Sequence, residues 1–272
     1  MEKFELGKNA ASLANDALWS GGLSQDHKCV VPSGLFDIDK IVGGWQKGDL
    51  IILGSRPAVG KTALATKFAL EAAKAGSKVA FFSLEMPAAQ LFIRIIAAES
   101  GVDYLKLRKN NLTPREQYRM DHAIRSVGAL GSRFMIEEGS ISVRDLATTC
   151  EKLKQAQGLE LVVVDYLQLM KSEGESCDFG DIAKELKAMA AALELPVMLL
   201  SQITKTPEEA VAKSIVEVAD VVLRIHRIEN IDSGSTPGTN TEIVVEKNRK
   251  GPLGSVKTHF DANTLSFSDM ES

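Results

Sequence analysis

Residues Leu50-Ile51-Ile52-Leu53-Gly54-Ser55-Arg56-Pro57-Ala58-Val59-Gly60-Lys61-Thr62-Ala63-Leu64-Ala65 decide the fold of this chain. An apolar run of strand length leads into a tight loop, and the loop into residues that open a helix. A bound phosphate requires that order. Such a loop turns backbone N–H groups inward, and the helix N-terminus adds the positive end of its dipole. Lys61 is placed to reach the β- and γ-phosphates, and the Thr62 hydroxyl to hold Mg²⁺. Ser55, Arg56, Pro57, Ala58, Val59, Gly60, Lys61, Thr62 and Ala63 therefore form a candidate nucleotide cradle. The usual pattern opens with Gly where this chain has Ser55. A glycine loop that merely caps a helix is the alternative, and the apolar strand before the loop weighs against it.

Outward from the loop, strand and helix patterns alternate. Strands are predicted at Leu50–Leu53, Val79–Leu84, Phe134–Ile136, Leu161–Val164 and Val197–Leu200. Most are unbroken apolar runs, the pattern of strands covered on both faces. Helices are predicted from Lys61 to Ala75, from Pro87 in a first turn to Glu99, from the Thr113 cap and Pro114 toward Val127, from Ser142, and from Asp181 to Leu193. The alternation predicts an α/β domain with a parallel sheet. The tail changes character. Short strands at Val221–Ile225, Glu242–Val245, Val256–Phe260 and Leu265–Phe267 predict an antiparallel extension of that sheet.

Residues 1–30 read as an arm that precedes a domain over 31–272. Leu6, Ala10, Leu13, Ala14, Ala17 and Leu18 recur at helical spacing, and an apolar stripe needs a surface to pack on. Its own domain and a neighbouring subunit serve equally well. The 272 residues carry a net charge of −4, which neither advertises nor excludes nucleic-acid binding, because a local basic channel is what matters. The three cysteines, Cys29, Cys150 and Cys177, lack metal spacing and are odd in number, as fits a reducing cytoplasm. No apolar run reaches membrane length, so a cytoplasmic protein is expected.

Three strand ends carry suitable chemistry. Leu161-Val162-Val163-Val164-Asp165 places a carboxylate in the crevice where open α/β sheets bind ligands, opposite Thr62 and in reach of a Mg²⁺ shell. A strand that simply ends in a turn residue is the plainer alternative. Glu85, just after Val79–Leu84, can orient and polarise an attacking water. Gln202, after Val197–Leu200, offers an amide that can register a γ-phosphate. Read from the residues alone, Lys247-Asn248-Arg249-Lys250-Gly251 is a solvated basic turn at a strand end.

With these residues in place, the chain resembles the C-terminal motor domain of DnaB-type replicative helicases over roughly residues 30 to 268. The resemblance rests on Ser33-Gly34-Leu35-Phe36-Asp37-Ile38-Asp39, Gly43-Gly44-Trp45-Gln46-Lys47-Gly48-Asp49-Leu50 and Arg56 to Thr62. It continues through Phe82-Ser83-Leu84-Glu85-Met86, Val164-Asp165-Tyr166-Leu167-Gln168-Leu169-Met170 and Lys247 to Pro252, in the family's order. It implies a RecA-like fold, a ring of six subunits with ATP and Mg²⁺ between neighbours, and single-stranded DNA through the centre. A helicase loader and primase are further partners it implies, in a bacterial or phage-infected cell. By the same resemblance Lys61 and Thr62 bind phosphate and metal, and Asp165 is the metal-side acid. Glu85 is the catalytic carboxylate, Gln202 the γ-phosphate sensor, and Lys247 and Arg249 the pair that reaches a neighbour's ATP. A small residue such as Ser55 is tolerated in that family.

Two departures stand out. The family usually carries a separate N-terminal domain before the arm, for which this sequence has no room. The segment after Gln202 is shorter than the family's DNA-facing loop and includes Glu208-Glu209, which leaves Lys205 and Lys213 as its local cations. An ATPase of the same fold that does not unwind DNA, of regulatory, recombinase-like or loader-like type, is the alternative reading. A third is an assembly module that uses ATP only to join subunits.

Overall fold

The computed structural model describes residues 30–167, 170, 179–202, 209–228 and 240–270, without the side chains of 209–212. The predicted arm helix lies outside the described residues, as do Lys205 and the acidic stretch 171–178. In chain order the elements begin with α1 (Phe36–Val42), β1 (Leu50–Ser55), α2 (Lys61–Lys74), β2 (Val79–Ser83) and α3 (Ala88–Ser100). Then come α4 (Tyr104–Lys109), α5 (Pro114–Gly128), β3 (Phe134–Glu138), α6 (Val143–Gln157), β4 (Leu161–Asp165) and α7 (Phe179–Ala192). The chain continues through β5 (Val197–Gln202), α8 (Glu209–Val218), β6 (Val221–Arg227), β7 (Asn240–Asn248), β8 (Gly254–Asp261) and β9 (Ser266–Asp269).

The strands form one nine-stranded sheet in the order β3-β2-β4-β5-β1-β6-β7-β8-β9. It is parallel from β3 to β6 and antiparallel from β6 to β9. The expected α/β class and antiparallel tail are both present. β1, β2 and β4 are buried at every position, because helices cover both faces. Alternate residues of β1 feed two cores. Ile51 and Leu53 pack with Phe68, Phe81 and Ile95, while Leu50 and Ile52 pack with Phe82, Val164, Leu186 and Leu199. On the first face Trp45 meets Phe68 edge-on, with ring centroids 5.2 Å apart. Full burial of a side chain such as Phe68 stabilises the fold by roughly 1.5–3 kcal/mol.

Local signals explain the helix starts. At α5 the Thr113 Oγ1 accepts from the Glu116 N–H, and a Glu116 carboxylate oxygen accepts from the Thr113 N–H at 2.9 Å, a reciprocal box that fixes the first turn. Ser142 caps α6 by accepting from the Asp145 N–H. Pro87 corrects the expectation of a first-turn proline. It is the N-cap of α3, with extended ψ of 143°, and the first helical N–H, that of Ala88, donates to Glu138.

Candidate nucleotide site

Three neighbouring strands, β2, β4 and β5, end at one edge of the sheet beside β1, where the order places a ligand crevice. The register sets the groups level. Ser83 lies opposite Asp165, and Ser55 opposite Gln202. Glu85 follows two residues beyond the end of β2. The resulting cleft of about 390 Å³ is lined by Ser55, Arg56, Pro57, Ala58, Gly60, Lys61, Thr62 and Ala63 together with Glu85 and Gln202. That volume falls in the ordinary range for small-molecule sites. Val59 turns away from it and packs on the core, and Asp165 sits beside Thr62 at the floor.

The loop reaches its shape through backbone torsions that few residues adopt. Ala58 has φ of 61°, and Gly60, the N-cap of α2, has φ of 110°. A Cβ on Gly60 would stand 3.2 Å from the Phe267 ring and 3.3 Å from Phe260. Those two rings stack at 4.6 Å, so the antiparallel extension lies directly under the loop. Arg227, at the end of β6, donates to the Ala58 carbonyl at 2.7 Å and ties the loop to the same extension. No side chain caps α2, so its first-turn N–H groups are presented to the cleft as an anion site.

The floor is polarised. Thr62 Oγ1 donates to Asp165 Oδ2 at 2.7 Å. Asp165 Oδ1 is buried without a hydrogen-bond partner. Burial pushes the Asp165 carboxyl above its ordinary range, against the opposing pull of the Thr62 hydroxyl and Lys61. Burial likewise pushes Lys61 below the usual lysine range, although Asp165 and Glu85 draw it back up. Each charge is thus under-compensated, and a ligand bearing both anionic oxygens and a cation relieves both. A hydroxyl and one bare carboxylate oxygen suit Mg²⁺, which binds through one or two protein groups plus phosphate oxygens. Among the described residues no cluster of three His, Cys, Asp or Glu side chains offers an all-protein cage.

Lys247 and Arg249 are not brought to this cleft. Lys247 lies within β7, opposite Val222 near the start of β6, whereas the loop adjoins the far end of β6. Lys247 Nζ donates to the Val216 and Glu217 carbonyls at 2.8 and 2.9 Å. Arg249 donates to the Glu217 carbonyl at 3.1 Å and approaches Asp220 at 3.4 Å. Lys213 is exposed on α8. The cleft also holds residues that sequence reading passed over, among them Arg94, Arg227 and Phe260. Arg94 lies in the second turn of α3, after the bend that carries Glu85, and buries its Nε without a partner. Spacing from Glu85 was its only signal.

A nine-stranded, mainly parallel sheet with a glycine loop opening a helix at its switch point defines a RecA-like P-loop nucleotide-binding domain. The chain belongs to the DnaB-like helicase C terminal domain family, whose model matches residues 30–269. It is 35% identical over 258 residues to the replicative DNA helicase DnaB of Geobacillus stearothermophilus, covering 89% of this chain and 57% of that protein. The chain therefore spans little more than half the length of that relative. One solved ATPase domain shares the fold with a TM-score of 0.86 at 23% identity, over 97% of this chain and 100% of that one. A DnaB-like replicative helicase, solved in a study of its interactions with primase, matches with a TM-score of 0.83 at 23% identity, over 98% of this chain and 68% of that one.

Proposed function

We propose that this chain is the motor of a replicative DNA helicase, which hydrolyses ATP at the interfaces of a hexameric ring and moves on single-stranded DNA. The observation that carries the reading is the Thr62–Asp165 pair with its bare buried oxygen, set under a P-loop in a chain of this family. Thr62 and Asp165 would hold Mg²⁺ there, and when bound it neutralises charge on the β- and γ-oxygens. Ser55 to Ala63 cradle the phosphates, and Lys61 is their side-chain cation. Glu85 orients the water, and Gln202 registers the γ-phosphate. Lys247 and Arg249 serve the neighbour's nucleotide. Their seat at the other end of β6 supports this, since their own cleft does not receive them. Such a cation can be worth about 10³- to 10⁵-fold in rate.

Lys205 and Lys213 are the proposed DNA contacts, and the arm over 1–30 the proposed link to an adjacent subunit. A loader and primase are proposed partners; a structural neighbour was solved in a study of its interactions with primase. The site of action is the cytoplasm. Among the described residues no helix is long and apolar enough to cross a membrane. The test is ATP turnover with and without single-stranded DNA, beside displacement of a strand from a forked duplex. DNA-stimulated turnover with displacement is expected. Turnover without displacement would give the non-unwinding ATPase instead, and nucleotide-dependent assembly without turnover the assembly module.

A further inference from the structure

Asp220 lies just before β6, buried, at the sheet end opposite the phosphate loop. Its carboxylate accepts from the Leu50 N–H at 2.8 Å and from Lys187 Nζ at 2.6 Å. Its other oxygen stands 3.4 Å from the Arg249 guanidinium. Its carbonyl accepts from the Arg249 N–H at 2.9 Å. Asp220 thus holds Arg249 by backbone and side chain at once. The C-terminal carbonyls of α8 complete the seat. Those of Val216 and Glu217 carry the negative end of the helix dipole and accept from Lys247, and Glu217 also accepts from Arg249.

Arg249 stays available, while Lys247 is half-buried with two carbonyls on its ammonium. Arg249 remains about half exposed, with a side-chain exposure of 48%, and a guanidinium has donors beyond those engaged here. Two like charges set side by side repel, and Arg249 contributes to holding Lys247 below the usual lysine range after burial. The buried Asp220 carboxylate, close to Arg249 and acting on Lys247 in the opposite sense, offsets that repulsion. Lys187 accounts for the Asp220 charge in the ordinary structural sense, so the additional approach to Arg249 asks for a separate reason.

We propose that Asp220, with the C-terminal end of α8, is the positioning residue that sets Lys247 and Arg249 in place to act on a neighbouring subunit's nucleotide. The inference rests on the shared-site reading above. Asp220→Asn keeps the acceptor for Leu50 and removes the charge that orients Arg249. It should bind a fluorescent ADP with wild-type affinity yet lose turnover by about tenfold or more, a part of what a misplaced arginine can cost. Mixed assemblies then locate the defect. Asp220→Asn mixed with Glu85→Gln should regain turnover, because one subunit supplies Glu85 and the other the cations. Asp220→Asn mixed with Arg249→Ala should not, because both lack a working pair. Lys187→Gln, which breaks the same buried ion pair without touching Arg249, should keep wild-type turnover. If Asp220→Asn does not assemble, Asp220→Glu keeps the charge, shifts its position and should give the same pattern.

Full turnover by Asp220→Asn overturns the inference. So does rescue by Arg249→Ala, or an equal loss in Lys187→Gln, which would make the role structural. Full turnover by Arg249→Ala, or its failure to complement Glu85→Gln, overturns the shared-site reading itself.

Discussion

Asp165→Asn separates what the buried carboxylate costs from what it does. Asp165 is 1% exposed. One oxygen takes the Thr62 hydroxyl, and the other has no partner. Burial is the largest influence on Asp165 and on Lys61, and it moves both toward their neutral forms despite their mutual attraction. Desolvation therefore outweighs the pair's Coulomb gain. A carboxyl whose folded pKa lies above its unfolded one stabilises the fold while protonated, and that contribution is lost as pH rises through the folded pKa. At neutral pH, without ligand, the charge is a net cost. Asparagine keeps an acceptor for Thr62 and removes the charge. Relief of that cost gives an expected gain on the order of 1 kcal/mol, the low end of the penalty for a buried polar group left without a partner. For a domain of this size that raises Tm by roughly 2–4 °C. The gain should vanish in acid, where wild-type Asp165 is protonated. Melting in EDTA across pH measures it. Repeating the melts with ADP and Mg²⁺ should reverse the order, because only the wild type gains extra stability from the metal. An asparagine variant about 1 kcal/mol or more less stable than wild type in EDTA, or one equally stabilised by Mg²⁺, would refute the reasoning.

Lys61→Ala should abolish hydrolysis and weaken nucleotide binding while melting near wild type, since the side chain addresses the cleft; steady-state turnover and a fluorescent-ADP titration check both halves. Glu85→Gln should bind ATP normally and hydrolyse it at least about tenfold more slowly, the range of general-base or water-positioning groups; normal turnover would assign the water to another residue. Gly60→Ala demands a φ of 110° from an L-residue and crowds the Phe267 ring at 3.2 Å. It should cost about 1–3 kcal/mol in urea unfolding and weaken ADP binding through the reshaped loop. Undiminished binding would show that the loop tolerates another path.

Much of the fold is legible because the central strands are buried on both faces. Leu50–Leu53, Leu161–Val164 and Val197–Leu200 read as strands from apolarity alone, and only their ends, Gly54 and Ser55, Asp165, and Ser201 and Gln202, were left outside. Those ends line or floor the candidate cleft, so the period that reveals a strand stops where the proposed chemistry begins. The short helices were illegible for a different reason. α1 buries only Ile38 and Val42, and α4 buries nothing and is held by the Asp103 cap. Neither has enough apolar repeats to set a period. Within the site, Glu85, Asp165 and Gln202 followed from the rule that ligands lie beyond strand ends. Arg94 and Arg227 did not, because each reaches the cleft through packing. Arg94 shares a helix with buried Leu91 and Ile95, and Arg227 bonds to the loop through the pairing of β6.

The placement of Lys247 and Arg249 depended on register, which no local pattern carries. Local composition reads as a basic turn; the sheet puts Lys247 inside β7, opposite Val222. On the proposed reading that pairing makes β6 a strut between two functions. Its far end stands level with Ser55 and sends Arg227 to the Ala58 carbonyl. Its near end, with Asp220 just before it, carries the seat for the two cations. A strand in a sheet does not bend sharply without breaking its ladder, so the two ends stay a fixed length apart. On the proposed reading, one subunit then cannot bring its own cations to its own phosphates, and completion of the site falls to a second copy. The antiparallel extension serves both ends, with Phe260 and Phe267 under Gly60 and β7 holding Lys247. A change in its packing should therefore be felt at the loop and at the seat together.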